Sequence, residues 1–267
     1  MTAPELSYYN IANGIISFST TRHGGCSRGN YGEFNINEYC GDEAEAINKN
    51  RKALAAELGI DADHMIIPHQ THGIETRQIA EDFLSLPENI RKMILEGVDA
   101  VMTNIKGVCI GVSTADCIPI LLYDPEHEAV CAVHAGWRGT VARIVMKAVT
   151  EMRLAYQTIP SDLKAVIGPG ISLDAFEVGN EVYEEFANAN LEMDAISKQM
   201  KVAGTDFEYK WHIDLKECNR RQLLQCGINE ENILVSDVCT YNNVEDFFSA
   251  RRLGTASGRI YSGIIIR

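Results

Sequence analysis

The stretch that decides the fold runs from Val98 to His134 and reads VDAVMTNIKGVCIGVSTADCIPILLYDPEHEAVCAVH. It contains four apolar segments rich in Val and Ile, namely Val98–Thr103, Val108–Ser113, Ile118–Tyr123 and Ala129–His134. Segments of this length and composition are typical of strands, and the gaps between them are too short for a helix. Strands that follow strands directly argue against strict strand–helix alternation, so we expect an α+β fold with mixed sheets.

Outside this stretch, further strands are predicted at Ile15–Thr20, Met65–His69, Leu163–Ile167, Ile233–Val238 and Ile260–Ile266. A helix is predicted to open with a capping box at Asp42–Glu45 and to close at Gly59. Other helices are predicted at Thr140–Tyr156, about Asp174–Asn188 and Asp214–Cys226. Because we find neither a linker nor a repeat, we expect one domain over residues 1–267, with layered mixed sheets and flanking helices.

The charge balance excludes some classes of partner. The chain has 24 Lys and Arg against 37 Asp and Glu, a net charge of −13, which argues against nucleic acid or an anionic membrane. No stretch approaches the ~20 apolar residues of a membrane span, and Met1–Asn10 lacks the basic and apolar regions of a signal peptide. Eight cysteines are too sparse for a disulfide scaffold, so we expect a reducing cytoplasm.

Three histidines lie beside glycine-containing turns at the ends of predicted strands: His69, His72 and His134. Cys117 lies between them in sequence, and two imidazoles with a thiolate make a reasonable zinc set that leaves one position open. The spacing alone leaves alternatives, because no Cys-x-x-Cys or His-Glu-x-x-His motif is present. Cys117 also suits a buried core thiol, or a nucleophile with His134 as its base and Asp116 or another carboxylate as the orienting group.

Arg51 interrupts the apolar stripe of the first predicted helix, which is formed by Ala44, Ile47, Leu54 and Leu58. An inward arginine costs desolvation unless it meets an anion or hydrogen-bond acceptors. A structural ion pair would satisfy it, and so would a phosphate or carboxylate bound by the guanidinium fork.

Two other segments are open to more than one interpretation. Gly136 and Gly139 leave the backbone free to approach a ligand at the start of a helix, but they also suit a plain turn. The C-terminal residues 239–259 mix Phe and Arg side chains, which could stack a planar ring and bind an anion, or cover a sheet edge.

Taken together, several motifs resemble the YfiH/YlmD family, whose members are also called laccase-domain or polyphenol oxidase proteins. They are HQTHG at 69–73, TADCIP at 114–119, VHAGWRGT at 133–140, IGPGI at 167–171 and FSARR at 248–252. TRHGGCSRG at 21–29, FNIN at 34–37 and the pair Asn50-Arg51 also match, so that the resemblance covers nearly the whole chain.

The resemblance implies a layered α+β fold of the YfiH type and a zinc site of His72, Cys117 and His134. It also implies phosphorolysis of adenosine, inosine, guanosine or methylthioadenosine, together with deamination of adenosine. The older label of copper oxidase fits poorly, because seven histidines are too few for several copper sites.

From this we predict catalytic roles for the three zinc ligands and for Arg51, which would hold phosphate. Asn35, Phe248 and Arg251 are predicted to help Arg51 bind the substrate. Asp116 or Glu177 is the expected proton donor, and His69 is expected to orient the groups around the metal. A copper-dependent polyphenol oxidase and a thiol hydrolase using Cys117 and His134 are the alternatives, and a non-enzymatic binding module fits least.

Overall fold

Three sheets dominate residues 3–202, 205 and 208–267, the part of the chain that the computed structural model describes. Their strands are β1 (Leu6–Tyr9), β2 (Ile15–Thr20), β3 (Met65–Ile66), β4 (Glu75–Gln78), β5 (Val98–Thr103), β6 (Cys109–Thr114), β7 (Ile118–Asp124), β8 (Ala129–Ala135), β9 (Lys164–Ile167), β10 (Glu177–Val178), β11 (Ser197–Lys201), β12 (Tyr209–Ile213), β13 (Ile233–Val235) and β14 (Ile260–Ile266).

Helices join and flank the sheets. They are α1 (Ala44–Leu58), α2 (Glu88–Ile94), α3 (Trp137–Val141), α4 (Ile144–Tyr156), α5 (Asn180–Asn188), α6 (Met193–Ile196), α7 (Leu215–Gln225) and α8 (Ala250–Leu253). Short 3-10 turns occur at Gly29–Tyr31, Ala62–His64, Glu81–Ser85, Pro160–Asp162 and Glu230–Asn232. None of the described helices is long and apolar enough to cross a membrane.

The strands from Val98 to Ala135 are divided between two sheets. The six-stranded sheet has the order β13-β9-β7-β8-β5-β4, in which β8 pairs antiparallel with both β7 and β5. The strand β6 instead joins the five-stranded sheet, whose order is β1-β2-β14-β6-β3. A third sheet of three strands has the order β10-β12-β11.

Apolar side chains point alternately to the two faces of each buried strand, so the sheets and helices pack in layers. One face of the six-stranded sheet packs on the five-stranded sheet through Val101, Leu121, Val130, Ile110 and Ile264. Its other face packs on α4 and α7. The outer face of the five-stranded sheet packs on α1. Full burial of each Leu or Ile side chain stabilises the fold by about 1.5–3 kcal/mol. The apolar faces of strands and helices therefore pack against one another, in the order helix, sheet, sheet, helix. The predicted α+β fold with layered mixed sheets is confirmed.

The bounds of Ile15–Thr20, Val98–Thr103 and Ile260–Ile266 match the predicted strands. Three strands are shorter than predicted, since β3 ends at Ile66, β13 ends at Val235 and β9 begins at Lys164. Pro68 lies within the segment lost from β3 and has no N–H to donate to a sheet.

The helix predictions need three corrections. The predicted capping box is wrong, because the Asp42 carboxylate accepts hydrogen bonds from the side chains of Ser27 and Asn35 and Glu43 makes no side-chain cap. The helix predicted at Thr140–Tyr156 is interrupted at Arg143, whose φ of 61° separates α3 from α4. The segment predicted as a helix at Asp174–Asn188 begins instead with a turn and β10 before α5. Gly59 closes α1 with a φ of 62°, as predicted.

The segment Met1–Asn10 is predicted to lack the features of a signal peptide. Its first two residues, Met1 and Thr2, lie outside the described residues.

Candidate metal centre

Two imidazoles and one thiol meet at one end of the six-stranded sheet. His72 lies in the loop before β4, Cys117 in the turn between β6 and β7, and His134 in β8. Their potential ligand atoms all lie within 4.8 Å of one another, and the described part of the chain contains no second cluster of this kind. The rings of His72 and His134 meet edge to face with centroids 4.8 Å apart.

The strand register explains why Cys117 and His134 are neighbours. Ile118 pairs with Ala135 and Pro119 pairs with His134 across the β7–β8 hairpin. Cys117 therefore stands one residue before the paired region, close to the end of β8. The preceding residue, Asp116, makes the turn with a φ of 85°.

His72 is presented by an unusual backbone conformation. Its φ is 63°, a left-handed value that residues other than glycine seldom adopt. Three successive N–H groups, those of Thr71, His72 and Gly73, donate to the Asp99 carboxylate over 3.2, 3.0 and 2.7 Å. These bonds hold the loop in the form that brings the His72 imidazole to the cluster.

Asp99 also holds the second imidazole. Asp99 is fully buried in β5, and His134 Nδ1 donates to its Oδ1 over 2.7 Å. Because Nδ1 is used in this way, Nε2 is left for the cluster, which is the arrangement found around metal-bound histidines. The sequence analysis missed Asp99, although a lone carboxylate inside an apolar strand was a signal that could have revealed it.

The charges of the cluster favour a thiolate. Burial alone would raise the pKa of the Cys117 thiol, but the adjacent imidazoles of His134 and His72 lower that pKa to about 6. Burial alone would lower the pKa of His134, but Cys117 and Asp99 raise it to about 9. Burial would likewise raise the pKa of Asp99, yet its hydrogen bonds to His134 and to backbone N–H groups bring it below its ordinary value.

The buried core thiols behave differently. Burial raises the pKa of Cys109 and of Cys218 to about 12 in each case. Cys117 differs from them in two respects, since it is only half-buried and has charged neighbours, and the interpretation of Cys117 as an inert core thiol does not fit.

The backbone beside the cluster is tightly packed against two of the ligands, and only a glycine fits there. A Cβ atom on Gly136 would lie 3.0 Å from His72 Cδ2 and 3.1 Å from Cys117 Sγ. Bonds of about 2.0–2.3 Å from nitrogen and sulfur to a single ion would draw the three donors together by small side-chain rotations. The donor set and the lowered pKa of Cys117 fit a metal ion with an open coordination position.

A cavity of about 250 Å³ opens onto the three ligands. His69 lines it, donates from Nδ1 to the Glu96 carboxylate over 2.8 Å and stacks on Tyr39 with ring centroids 3.9 Å apart. Ser113 and Thr114 also line the cavity, and their buried hydroxyls have no hydrogen-bond partner among the described residues.

Arg51 lies in a neighbouring cavity of about 400 Å³, which shares Tyr39 with the first. Its Nε donates to the Ile36 carbonyl over 2.9 Å, and its Nη2 lies 3.7 Å from Glu38. The structure therefore does not bring Arg51 to the metal ligands. The fully buried polar residue of this helix is Asn50, whose side chain donates to Ser27 and to the Asn35 carbonyl.

The predicted nucleoside-binding residues are absent from the lining of the cavity. Asn35 is fully buried, and its amide donates to Asp42 over 2.9 Å. Phe248 is fully buried in an apolar cluster with Ala115 and Ile260. Arg251 is exposed, and none of the three lines the cavity, so direct contact with a nucleoside stays a prediction.

Neither predicted proton donor faces the ligands. Both Asp116 oxygens accept hydrogen bonds, one from the Thr240 hydroxyl and one from the Arg251 backbone N–H, each over 2.7 Å. Glu177 lies in β10, and its backbone carbonyl accepts from the Arg251 guanidinium over 3.0 Å. His69 is not seen bonded to a metal ligand, and its partners are Glu96 and Tyr39.

Comparisons with known proteins agree on one family. Residues 16–267 match the sequence model of the family described as multi-copper polyphenol oxidoreductase laccase. A purine nucleoside phosphorylase of Bacteroides thetaiotaomicron is 45% identical over 260 residues, which are 97% of this chain and 93% of that protein. Adenosine deaminase RL5, from an unknown prokaryotic organism, is 40% identical over 260 residues, 97% of each chain. The crystal structure of the hypothetical protein YfiH from Bacillus licheniformis aligns with a TM-score of 0.88 at 28% identity, covering 99% of this chain and 97% of that one.

Proposed function

Because this chain belongs to the family described as multi-copper polyphenol oxidoreductase laccase, which includes relatives named for nucleoside chemistry, we propose that it is a purine nucleoside phosphorylase that also deaminates adenosine. The observation that carries this proposal is the cluster of His72, Cys117 and His134 at a polar cavity. The substrates proposed are adenosine, inosine, guanosine and methylthioadenosine, each with inorganic phosphate.

In phosphorolysis a phosphate oxygen bonds to the anomeric carbon of the ribose while the bond from that carbon to the purine nitrogen breaks. The electron pair leaves with the purine, which then takes up a proton. In deamination water adds to the purine ring carbon and ammonia leaves. In both reactions charge develops on oxygen and nitrogen atoms of the substrates. Polar groups that are already oriented in the cavity stabilise this charge.

The metal proposed for the cluster is zinc. Zinc held by two His and one Cys supplies Lewis-acid stabilisation to a reacting oxygen. The chain contributes the orientation of the donors, since Asp99 fixes the imidazole of His134 through Nδ1 and the loop of His72 through three N–H groups. The lowered pKa of Cys117 keeps its sulfur in the thiolate form that a metal ion binds.

We assign the movement of a proton to His69. Its Nδ1 is held by Glu96, which leaves Nε2 available in a ring that lines the cavity. Asp116 and Glu177 suit this role less well, because both Asp116 oxygens are bonded to other groups and Glu177 does not line the cavity. The stack of His69 on Tyr39 keeps the imidazole plane fixed.

The proposed roles of the other predicted residues follow from their positions. Arg51 would meet phosphate only if the anion extended past Tyr39 into the neighbouring cavity. Asn35, Phe248 and Arg251 would act on the nucleoside through the wall that they support. The free thiols of all eight cysteines support a reducing location, and we propose the cytoplasm.

Two alternatives make different use of the same residues. A multi-copper oxidase needs several copper sites, whereas the described residues hold a single cluster of three donors. Three other histidines, His23, His69 and His127, are each paired with a carboxylate. The thiol hydrolase is the stronger alternative, because the Cys117 pKa of about 6 beside His134 also suits a nucleophile.

Metal analysis of the protein purified without added metal tests the proposal. We expect about one zinc ion per chain in the wild type and in Cys131→Ala, which removes a fully buried core thiol. Cys117→Ala should lose most of the zinc and the phosphorolysis of inosine, because it removes one bond and one charge from the site. One zinc per chain in a folded Cys117→Ala variant would show that the ligand set is wrong, and rapid alkylation of Cys117 in the zinc-loaded protein would favour the thiol hydrolase.

A further inference from the structure

One arginine lies in the wall of the cavity that opens onto the metal ligands. Of the described residues that line this cavity, Arg259 is the only lysine or arginine. It directly precedes β14, so its backbone is continuous with the central strand of the five-stranded sheet.

The Arg259 guanidinium is held by backbone carbonyls. Its Nη1 donates to the carbonyls of Ser257 and Gly258 over 2.6 and 2.9 Å, and its Nη2 donates to the Thr255 carbonyl over 3.0 Å. The Arg259 backbone N–H donates to the buried Asn35 side chain over 3.1 Å. The Arg259 side chain is therefore already ordered before a ligand binds, so that binding costs little further side-chain entropy.

The positive charge of this guanidinium is not balanced by a carboxylate. Within the described residues no ion pair includes Arg259, whereas Arg51, Arg220 and Arg221 each pair with a glutamate. Neutral carbonyls satisfy three of its five N–H donors. The remaining donors, on Nε and Nη2, belong to neighbouring nitrogens that bind oxyanions in a bidentate manner.

We propose that Arg259 forms the oxyanion subsite of this cavity and binds the phosphate that attacks the nucleoside. The inference rests on the proposed function and adds the residue that holds the second substrate. The ligand class is a small tetrahedral oxyanion, either inorganic phosphate or the phosphate group of a pentose 1-phosphate product.

Arg259 takes no part in bond making. The phosphate oxygen gains the bond to the anomeric carbon, the purine nitrogen keeps the electron pair of the broken bond, and the proton goes to the purine. Arg259 keeps all its protons and stabilises the anion throughout. Deamination of adenosine uses water and no phosphate, so it does not need the oxyanion subsite.

The difference between the two reactions gives the test. In the zinc-loaded protein, Arg259→Gln should raise the KM for phosphate in inosine cleavage by about 10- to 100-fold, the effect expected for lost hydrogen bonds to a charged group. Its rate of adenosine deamination and its KM for inosine should stay within about twofold of the wild type. Arg259→Lys should recover only part of the phosphate affinity, since lysine lacks the planar fork.

Arg153→Gln is the matched control, because it removes the same charge from an exposed position on α4. It should leave the KM for phosphate unchanged. An unchanged KM for phosphate in Arg259→Gln, or equal losses of phosphorolysis and deamination, would overturn the proposal. A selective rise in the KM for phosphate in Arg51→Gln, without one in Arg259→Gln, would do the same and place the anion in the neighbouring cavity.

Calorimetric titration with inorganic phosphate separates this inference from the proposed function. Phosphate binding by the wild type and its loss in Arg259→Gln would support the subsite even if inosine were not cleaved. Equal binding by the two proteins, or no binding to the wild type, would reject the subsite even if inosine were cleaved.

Discussion

The Asp99 carboxylate lies 2.7 Å from His134 Nδ1, and the same carboxylate accepts the backbone N–H of His72 over 3.0 Å. One buried acid thus positions both imidazoles of the candidate metal centre. Because Asp99 belongs to β5 and His134 to the adjacent β8, the six-stranded sheet itself sets their separation. The buried strand β5 therefore holds both the loop of His72 and the imidazole of His134 in place.

Replacement of Asp99 by Asn should weaken metal binding by about 10- to 100-fold, the usual effect of losing an outer partner of a ligating histidine. Competition with a chromogenic chelator measures the change. Asp124→Asn is the control, because Asp124 is equally buried and bonds to His127 Nδ1 over 2.9 Å, away from the metal ligands. Similar zinc affinities in Asp99→Asn and Asp124→Asn would contradict the role given to Asp99.

The metal-free protein should react with iodoacetamide at Cys117 at low pH. Because the pKa of Cys117 is lowered to about 6, the rate should rise through about pH 6 and level off near pH 7. Cys109 and Cys218 should stay unmodified in the folded protein, since burial raises their pKa to about 12. Peptide mass spectrometry identifies the modified residue, and a rate that rises only near pH 9 would show that the imidazoles do not activate Cys117.

The same charges predict how the stability of the metal-free protein depends on pH. The folded-state pKa of Cys117 is below its ordinary value of 9.0, so its contribution is present above pH 9 and is lost as the pH falls through about 6. The folded-state pKa of His134 is above its ordinary value of 6.5, so its contribution is present below pH 6.5 and is lost as the pH rises through about 9.

Each of these shifts depends on the charge of the other group, so the pair stabilises the fold only where both are charged. The wild type without metal should therefore exceed Cys117→Ala in melting temperature most clearly between about pH 6 and pH 9. Thermal melting in the presence of a chelator measures this difference. A difference that does not change with pH from 5 to 10 would contradict the thiolate–imidazolium pair.

The local apolar patterns predicted the layered fold well, because strands and helices differ in the spacing of their buried residues. The rotation of α1 was harder to predict. Asn50 and Arg51 lie three and four residues after Ile47, so both suit the apolar stripe. The choice depends on two hydrogen bonds that periodicity does not reveal: Asn50 accepts from the Cys26 backbone N–H and donates to the Ser27 hydroxyl.

The motifs pointed to His72, Cys117 and His134, but the other walls of the cavity were beyond local reasoning. Phe248 follows a polar loop, and its burial depends on packing against Ala115 and Ile260, which are far away in sequence. Asp99, unlike Phe248, was predictable from the sequence. A lone carboxylate in a buried strand needs hydrogen-bond donors, and here these donors belong to the residues of the metal site.

His69→Asn should lower the turnover of inosine by about 10²-fold, within the usual range for a residue that moves a proton. Its zinc content should not change, because His69 is not a ligand. His127→Asn provides the control, since His127 and His69 both have 32% exposed side chains and both pair with a carboxylate. Steady-state assays with metal analysis compare the two variants, and a normal kcat in His69→Asn would remove His69 from the mechanism.

Oxidation of phenols should be negligible in the protein as purified. Added copper should give slow oxidation in proportion to the copper supplied, because the site offers one set of three donors and no second cluster among the described residues. Oxygen uptake with a phenolic substrate measures this activity. Fast oxidation by the protein as isolated, together with an intense blue copper band, would instead identify an oxidase.

The central claim is tested most directly by the products formed from inosine with and without phosphate. Chromatography should show hypoxanthine and ribose 1-phosphate in equal amounts when phosphate is present, and almost no hypoxanthine when it is omitted. Cys117→Ala should form neither product. Hypoxanthine released with free ribose at the same rate in the absence of phosphate, or inosine left intact by the zinc-loaded wild type, would contradict the assignment as a phosphorylase.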